Sequence, residues 1–569
     1  MRYTAYTRLL NLLPAISVLG VFSNLLKTAV VVAHPGRNDN LMGWSSHREG
    51  ETYSHAQQKL LVQTEDYYPL DDARPKAQPP PLEMIPLIIS GPTSNRVDLV
   101  FFSDGYLEGE KQKFINDALR LAEDVSRNQT FNTVQPLLNF WAGFSASEES
   151  GVGTHGKPRK TPFGLYRDGT ELRGVYYAHP EVGKAACDSL GDQCDYPILL
   201  GNDPLYGGKC LGGDFTVITA SILNGPLVLR HELGHSILDV GEEYDGGFAY
   251  FGRNAAYNPK NTTWTQWLSN SSRVDEDGVP LVEKSNMAMQ AYPWTLLDIK
   301  EPWSIRFSSP GTYSRYKLQF SLSGIPSNED LRVTLDGVDL GWTPRRHIGM
   351  DRWFYNFHSD ESLAPGNHEL KFTLLNKKHQ GSAQLCSTEI LEYGDESEFI
   401  LKPGFYGLYP TYSDKNETSY RPTNEDCLMR AVATPNFCKA CIETLWLKLL
   451  RNITFIDGIQ ESCEKGLLAG SSEQARVELK KVISLDLLPL ANLRITPITP
   501  NETYSIVWKK DEHVLERFTN KTRVEIDDKV SVGSYSVRVQ FWTEEVRVDS
   551  PVLKSEVNFE VASSCLGTR

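Results

Sequence analysis

His231-Glu232-Leu233-Gly234-His235 brings two imidazoles and a carboxylate into five residues. On a helix, residues four apart share a face, so His231 and His235 project together. Two such nitrogens can hold one Zn²⁺ at about 2.0–2.1 Å. Glu232, beside them, can take a proton from the water that attacks a polarised carbonyl. A third ligand has to come after the helix turns away. Gly241 permits a break, and Glu242 or Glu243 then offers a carboxylate oxygen, with a fourth position left for water. The competing reading is a helix with two ordinary histidines and a solvated glutamate. The flanking residues weigh against it. Asn224-Gly225-Pro226 marks a helix start, and Leu229, Leu233, Ile237 and Val240 form a stripe that a core would cover.

Other chemistries leave weaker traces. There is no G-x-S-x-G nucleophile pattern. Cys438-Lys439-Ala440-Cys441 fits a redox pair. With Cys427 and Cys463 it also fits a four-cysteine structural zinc. Disulfide pairing among the four is the favoured reading for a secreted chain. Asp104-Gly105 reads as a turn at a strand end. Tyr420 and Arg421 suit an oxyanion or a substrate carboxylate, or plain packing.

The elements that position these residues come from a long chain. Its 569 residues, 40% hydrophobic and 10% aromatic, suffice for about three or four domains with real cores. A formal charge of −14 counts against a nucleic-acid partner. Residues 1–33 carry a basic start, an apolar run and small residues near Val31-x-Ala33. They read as a secretory signal, with an uncleaved anchor as the alternative. No later stretch is long and apolar enough to span a bilayer, so no stable membrane insertion is expected once the signal is removed. Sequons at Asn128, Asn261, Asn270, Asn416, Asn452, Asn501 and Asn520 fit a secreted glycoprotein. Nine cysteines leave at least one without a partner in the chain. Disulfide pairing and oligomeric state do not follow from sequence.

Residues 34–85 are polar and Pro-rich, as a propeptide or linker would be. From Pro86 the pattern turns globular. IPLIIS, RVDLVFFSDGY, NFWAGFSAS and DFTVITASI read as strands, and Glu108 to Val125 as a helix. Alternating runs separated by turn residues fill 303–399 and recur over 484–562, which suggests two β-sandwiches. A helical stretch at Cys441 to Leu450 lies between them.

With these parts in view, the sequence resembles the IgA-peptidase family of secreted zinc metallopeptidases, in the metzincin-like group. The resemblance rests on SGPTSNRVDLVFFSDGY (90–106), FWAGFSASEESGV (140–152), HELGHSILDVGEEYDGG from His231, YRPTNEDCLMR (420–430) and FCKAC (437–441). It implies an α/β (α+β) metzincin-like zinc peptidase domain over 86–302 and 400–470. An inserted β-sandwich at 303–399 interrupts that domain, and a C-terminal β-sandwich at 484–562 follows it. It also implies His231 and His235 as zinc ligands and Glu232 as general base. The third ligand falls in Gly241-Glu242-Glu243-Tyr244, with Glu243 favoured and Glu242 close behind. The usual metzincin pattern H-E-x-x-H-x-x-G-x-x-H has a histidine where Gly241 sits, so this chain departs from it at the third ligand. Met429 resembles the methionine turn beneath the zinc, or is an ordinary core methionine.

The function implied is a secreted zinc-dependent endopeptidase acting on a protein or peptide substrate. A metal amidase acting on non-protein amides shares the same chemistry. The reading from another class is a non-catalytic glycoprotein that binds a polymer or protein through its sandwiches.

Overall fold

The computed structural model describes residues 77–127, 130–169, 174–211, 215–467, 477–496, 498 and 501–565. The expected signal, most of the polar 34–85 segment and the sequon at Asn128 lie outside the described residues.

The hydrophobic pattern of 83–219 builds one mixed sheet with helices on it. Strands β1 (Glu83–Ile88) and β2 (Val97–Asp104) precede helix α1 (Lys111–Arg127). Then come β3 (Leu138–Phe144), helix α2 (Pro180–Asp188), β4 (Tyr196–Gly201), β5 (Gly208–Leu211) and β6 (Phe215–Thr219). The spatial order is β1-β3-β2-β4-β6-β5. The central four strands run parallel, and β1 and β5 are antiparallel edges.

Strand β2 is buried along its whole length, and its side chains alternate between two cores. Val97, Leu99 and Phe101 pack with Phe114, Ala118, Leu121 and Val125 of α1. Val100 and Phe102 join Phe163, Leu165 and Ala186 on the opposite face. A parallel sheet covered on both faces therefore explains why β2 reads as a near-continuous apolar run. Asp104 closes the strand. It is fully buried and accepts hydrogen bonds from the Phe163 and Leu165 amides and the Thr161 hydroxyl, so it shapes the 161–165 loop. Gly105 follows at φ 76°, where an added Cβ would meet the Gly151 carbonyl oxygen at 2.5 Å.

Two further sheets face each other over 285–393. One orders Trp303–Ser309, Gly366–Leu374, Leu331–Leu335 and Val338–Asp339. The other orders Thr295–Leu296, Gln384–Tyr393, Arg315–Ser323 and Trp353–Ser359, with Ser285–Ala291 also on Gln384–Tyr393. Phe307, Leu318, Phe320, Val333, Leu370, Phe372 and Ile390 fill the space between them. These sheets start before residue 303, because 285–296 supplies two of their strands.

The C-terminal sheets order Ile456–Leu467, Val477–Leu487 and Arg523–Asp527, and His513–Val514, Glu502–Lys510, Gly533–Thr543 and Lys554–Val561. Residues 456–467 thus pair with the C-terminal strands. A Cys463–Cys565 disulfide holds that arrangement. Its core runs on into that of the first sheet through α4 (Lys439–Leu449), where Trp446 lies 5.3 Å from Phe541. Arg96, just before β2, adds an ion pair to Asp457 at 2.7 Å. Burial would raise the Asp457 carboxyl, but Arg96 and Asn95 hold it below the usual carboxylate range. Among the described residues no helix is long and apolar enough to cross a membrane.

Candidate metal centre

Helix α3 (Gly225–Leu233) leaves the end of β6 with Pro226 in its first turn, where a missing N–H costs nothing. Asn224 does not cap it. Its amide instead donates to Asp351 Oδ2 at 2.8 Å and to the Arg352 carbonyl at 3.0 Å, which anchors the 285–393 sheets to the start of α3. Arg230, 2% exposed, pairs with Asp124 of α1 at 3.2 Å and donates to the Pro435 carbonyl. The helix is fixed at its start, on its flank and near its end.

His231 lies on the α-helical part and His235 on a single wider turn, Gly234–Leu238, of the π type. Such turns recur at functional sites. The chain leaves the helix at Asp239, whose φ of 58° is left-handed, and not at Gly241 as the sequence suggests. Gly241 is needed for another reason. Its amide donates to the Phe251 carbonyl and the Glu242 amide to the Ala249 carbonyl. A Cβ on Gly241 would meet the Ala249 oxygen at 2.3 Å.

This pairing decides which glutamate faces the histidines. Glu242 Oε2 lies 3.2 Å from His231 Nε2, and Glu242 Oε1 lies 3.1 Å from His235 Nε2. Glu243, the favoured candidate from sequence, points the other way. Its amide donates to the Met429 carbonyl, and its carboxylate joins Cys427, Cys438 and Cys441. Neighbouring residues on an extended stretch face opposite sides, so one residue of register separates the two assignments.

Both imidazoles are aimed by their other nitrogen. His231 Nδ1 lies 3.1 Å from the Leu428 carbonyl and His235 Nδ1 2.8 Å from the Val240 carbonyl. A carbonyl only accepts, so each Nδ1 carries the proton and each Nε2 presents a lone pair when the ring is neutral. His231, His235 and Glu242 offer ligand atoms all within 4.8 Å of one another. Two imidazole nitrogens and a carboxylate oxygen suit Zn²⁺ and leave one position open. Burial would lower the His235 pKa, but the Glu242 carboxylate outweighs it and pushes it up to about 9. His231 is raised in the same way. Burial would raise Glu242, yet the two imidazoles hold it far below its usual range. The three groups are therefore strongly coupled.

Glu232 is 9% exposed and lies close enough to raise both histidines, so it shares their pocket. The segment Cys427-Leu428-Met429-Arg430 lies across the helix. Leu428 orients His231, Met429 receives the Glu243 amide, and Arg430 pairs with Asp245 at 2.6 Å and donates to the Glu243 carbonyl. Met429 is fully buried. Its Sδ lies 2.6 Å from where a Cβ on Gly234 would stand, which accounts for the glycine between the two histidines. Met429→Ala is expected to destabilise the full chain by about 2–5 kcal/mol, read from its urea midpoint. A loss below about 1 kcal/mol would mean that the methionine does not hold the floor of the site.

Tyr420 and Arg421 do not reach this pocket. The Tyr420 backbone pairs with Ala256, and Arg421, 1% exposed, donates to the Pro410 and Asn424 carbonyls. The sequence reading missed three aromatic and basic neighbours. The Tyr244 ring stacks on His231 at 6.3 Å, beside Glu242. Burial raises Tyr206, Arg352 opposes that, and Glu232 and Glu242 add to it, so Tyr206 feels both carboxylates. Arg352 lies over the Tyr206 ring at 4.8 Å. Tyr244 adjoins the Glu-Glu pair and was open to notice. Arg352 comes from a distant segment and carries no local signal.

No curated protein matches the chain. Among solved structures, a beta-porphyranase of glycoside hydrolase family 86 from the human gut bacterium Bacteroides plebeius matches at 13% identity and a TM-score of 0.15. That match covers 19% of this chain and 20% of that one, so this chain spans about a fifth of its length. A family 35 carbohydrate binding module from Clostridium thermocellum matches at 12% identity and a TM-score of 0.13, over 20% of this chain and 97% of its own. Likenesses this slight bear on neither fold nor function. Residues 85–276, from β1 through the two histidines and both glutamates, match the model of the IgA Peptidase M64 family, the family that the motifs resemble, over about a third of the chain.

Proposed function

We propose that the protein is a secreted zinc-dependent endopeptidase in which His231, His235 and Glu242 hold the metal and Glu232 is the general base. The observation that carries this reading is the convergence of two oriented Nε2 atoms and one carboxylate, with Glu232 in the same pocket. The match to a peptidase family supports peptide bonds as the substrate class. When bound, zinc would polarise the scissile carbonyl and make water more acidic. Glu232 accepts the proton of the attacking water and delivers it to the leaving amine. The Tyr244 phenol, raised well above its ordinary value, stays protonated and is a hydrogen-bond donor at the exposed edge of the site. Leu428 and Val240, through their carbonyls, keep the imidazoles from rotating.

Secretion is part of the proposal. Two disulfides, Cys187–Cys194 and Cys463–Cys565, suit an oxidising compartment. All six described sequon asparagines are exposed, as glycan acceptors must be.

The test is cleavage of an unfolded protein by the purified full chain. Activity is expected to vanish on dialysis against a chelator, to return with zinc, and to be absent in His231→Ala together with one zinc per chain. Cleavage that survives removal of the metal would overturn the reading.

A further inference from the structure

The expected disulfides among Cys427, Cys438, Cys441 and Cys463 do not form as a set, because Cys463 bonds to Cys565 at the far end of the chain. Three thiols stay together, and Glu243 completes the group. We propose that Cys427, Cys438, Cys441 and Glu243 bind a second, structural zinc ion, distinct from the metal at the histidine pair.

The four ligand atoms lie within 4.8 Å of one another. Cys427 Sγ is 3.9 Å from Cys441 Sγ, and Cys441 Sγ is 3.8 Å from Glu243 Oε1. A tetrahedral zinc with Zn–S bonds of about 2.3 Å requires ligand atoms about 3.8 Å apart along each edge. The spacing is too long for a disulfide, whose sulfurs sit at about 2.05 Å, and right for four ligands around one ion. All four residues are at most 1% exposed. An odd number of thiols in one dry pocket cannot be satisfied by disulfides within it. A divalent cation satisfies all three and the carboxylate at once, and its binding releases the thiol protons to solvent.

The surroundings match a thiolate site. Cys438 stands at the N-cap position of α4 and Cys441 lies in its first turn, where the helix dipole favours anionic sulfur. The Cys438 amide donates to Cys427 Sγ at 3.4 Å. Asn254 donates to Glu243 Oε1 at 2.9 Å and so aims the carboxylate. Three thiolates, one carboxylate and Zn²⁺ sum to −2, and the buried cations Arg421 and Arg430 lie beside Glu243. Glu242 and Glu243 thus send adjacent carboxylates to two different metals. The structural ion would pin the backbone that presents Glu242 to the histidines.

Metal content of the purified full chain tests this. Wild type is expected to hold two zinc ions per chain. The double variant His231→Ala/His235→Ala should keep one, and Cys427→Ser/Cys441→Ser should lose one. If the cysteine variant fails to fold, the histidine variant still decides. Loaded with Co²⁺, it should show an intense thiolate-to-cobalt charge-transfer band, which imidazole and carboxylate ligands cannot give. A histidine variant with no metal and no such band, its three cysteines recovered as free thiols or as a disulfide plus a thiol, overturns the proposal. The outcome is separable from the peptidase reading. One zinc in both wild type and the histidine variant, with the thiolate band, would keep the structural site and remove the catalytic one.

Discussion

Glu232→Gln is expected to lower turnover by about 10²–10⁴-fold while the full metal content and the fold are kept. Glutamine matches glutamate in shape, so the helix packing of Leu229, Leu233 and Ile237 is untouched. What is lost is a site that can hold a proton between the attacking water and the leaving amine. KM should change little, because the carboxylate acts in the transition state rather than in substrate binding. The measurements are kcat and KM on one peptide, with zinc per chain determined on the same sample. Unchanged kcat would remove Glu232 from the mechanism. Equal loss of metal and activity would recast it as a ligand.

The histidine pair and its glutamate were legible in sequence because their geometry is local. Spacing of four on a helix puts His231 and His235 on one face wherever the helix packs. Strand β2 and helix α1 were legible for the same reason, each having a long apolar run or a clean helical stripe. What escaped depends on partners far along the chain. The segment Tyr196–Gly201 is six residues long, and five of them are buried, so it has no alternation to mark it as a strand. The partner of Cys463 lies 102 residues away. The choice between Glu242 and Glu243 is set by pairing with Ala249–Phe251 on one side and Met429 on the other, a matter of register that neither glutamate carries in its own neighbourhood. The sheets over 285–393 likewise recruit 285–296, where only Met287 and Met289 of Ser285–Ala291 are buried and Thr295–Leu296 is two residues long.

The register argument makes the second strong prediction. Glu242→Gln should lose the zinc at the histidine pair and, with it, peptide cleavage. Loss of an outer-sphere partner typically weakens metal binding by about 10–100-fold, and removing a ligating carboxylate should exceed that. Glu243→Gln should leave the histidine-site metal in place, because that side chain is turned toward the cysteines. The comparison is informative because the two residues are adjacent, equally conservative to replace and both nearly buried. Competition with a chromogenic chelator, one variant at a time, gives the affinity at each site. Should Glu243→Gln strip the histidine-site zinc while Glu242→Gln retains it, the strand after Asp239 would be shifted by one residue, and the pairing of Gly241 with Phe251 would have to be wrong as well. Glu232→Gln completes the set. It separates a residue that moves a proton from one that holds the metal, since only the second takes zinc away when it is neutralised.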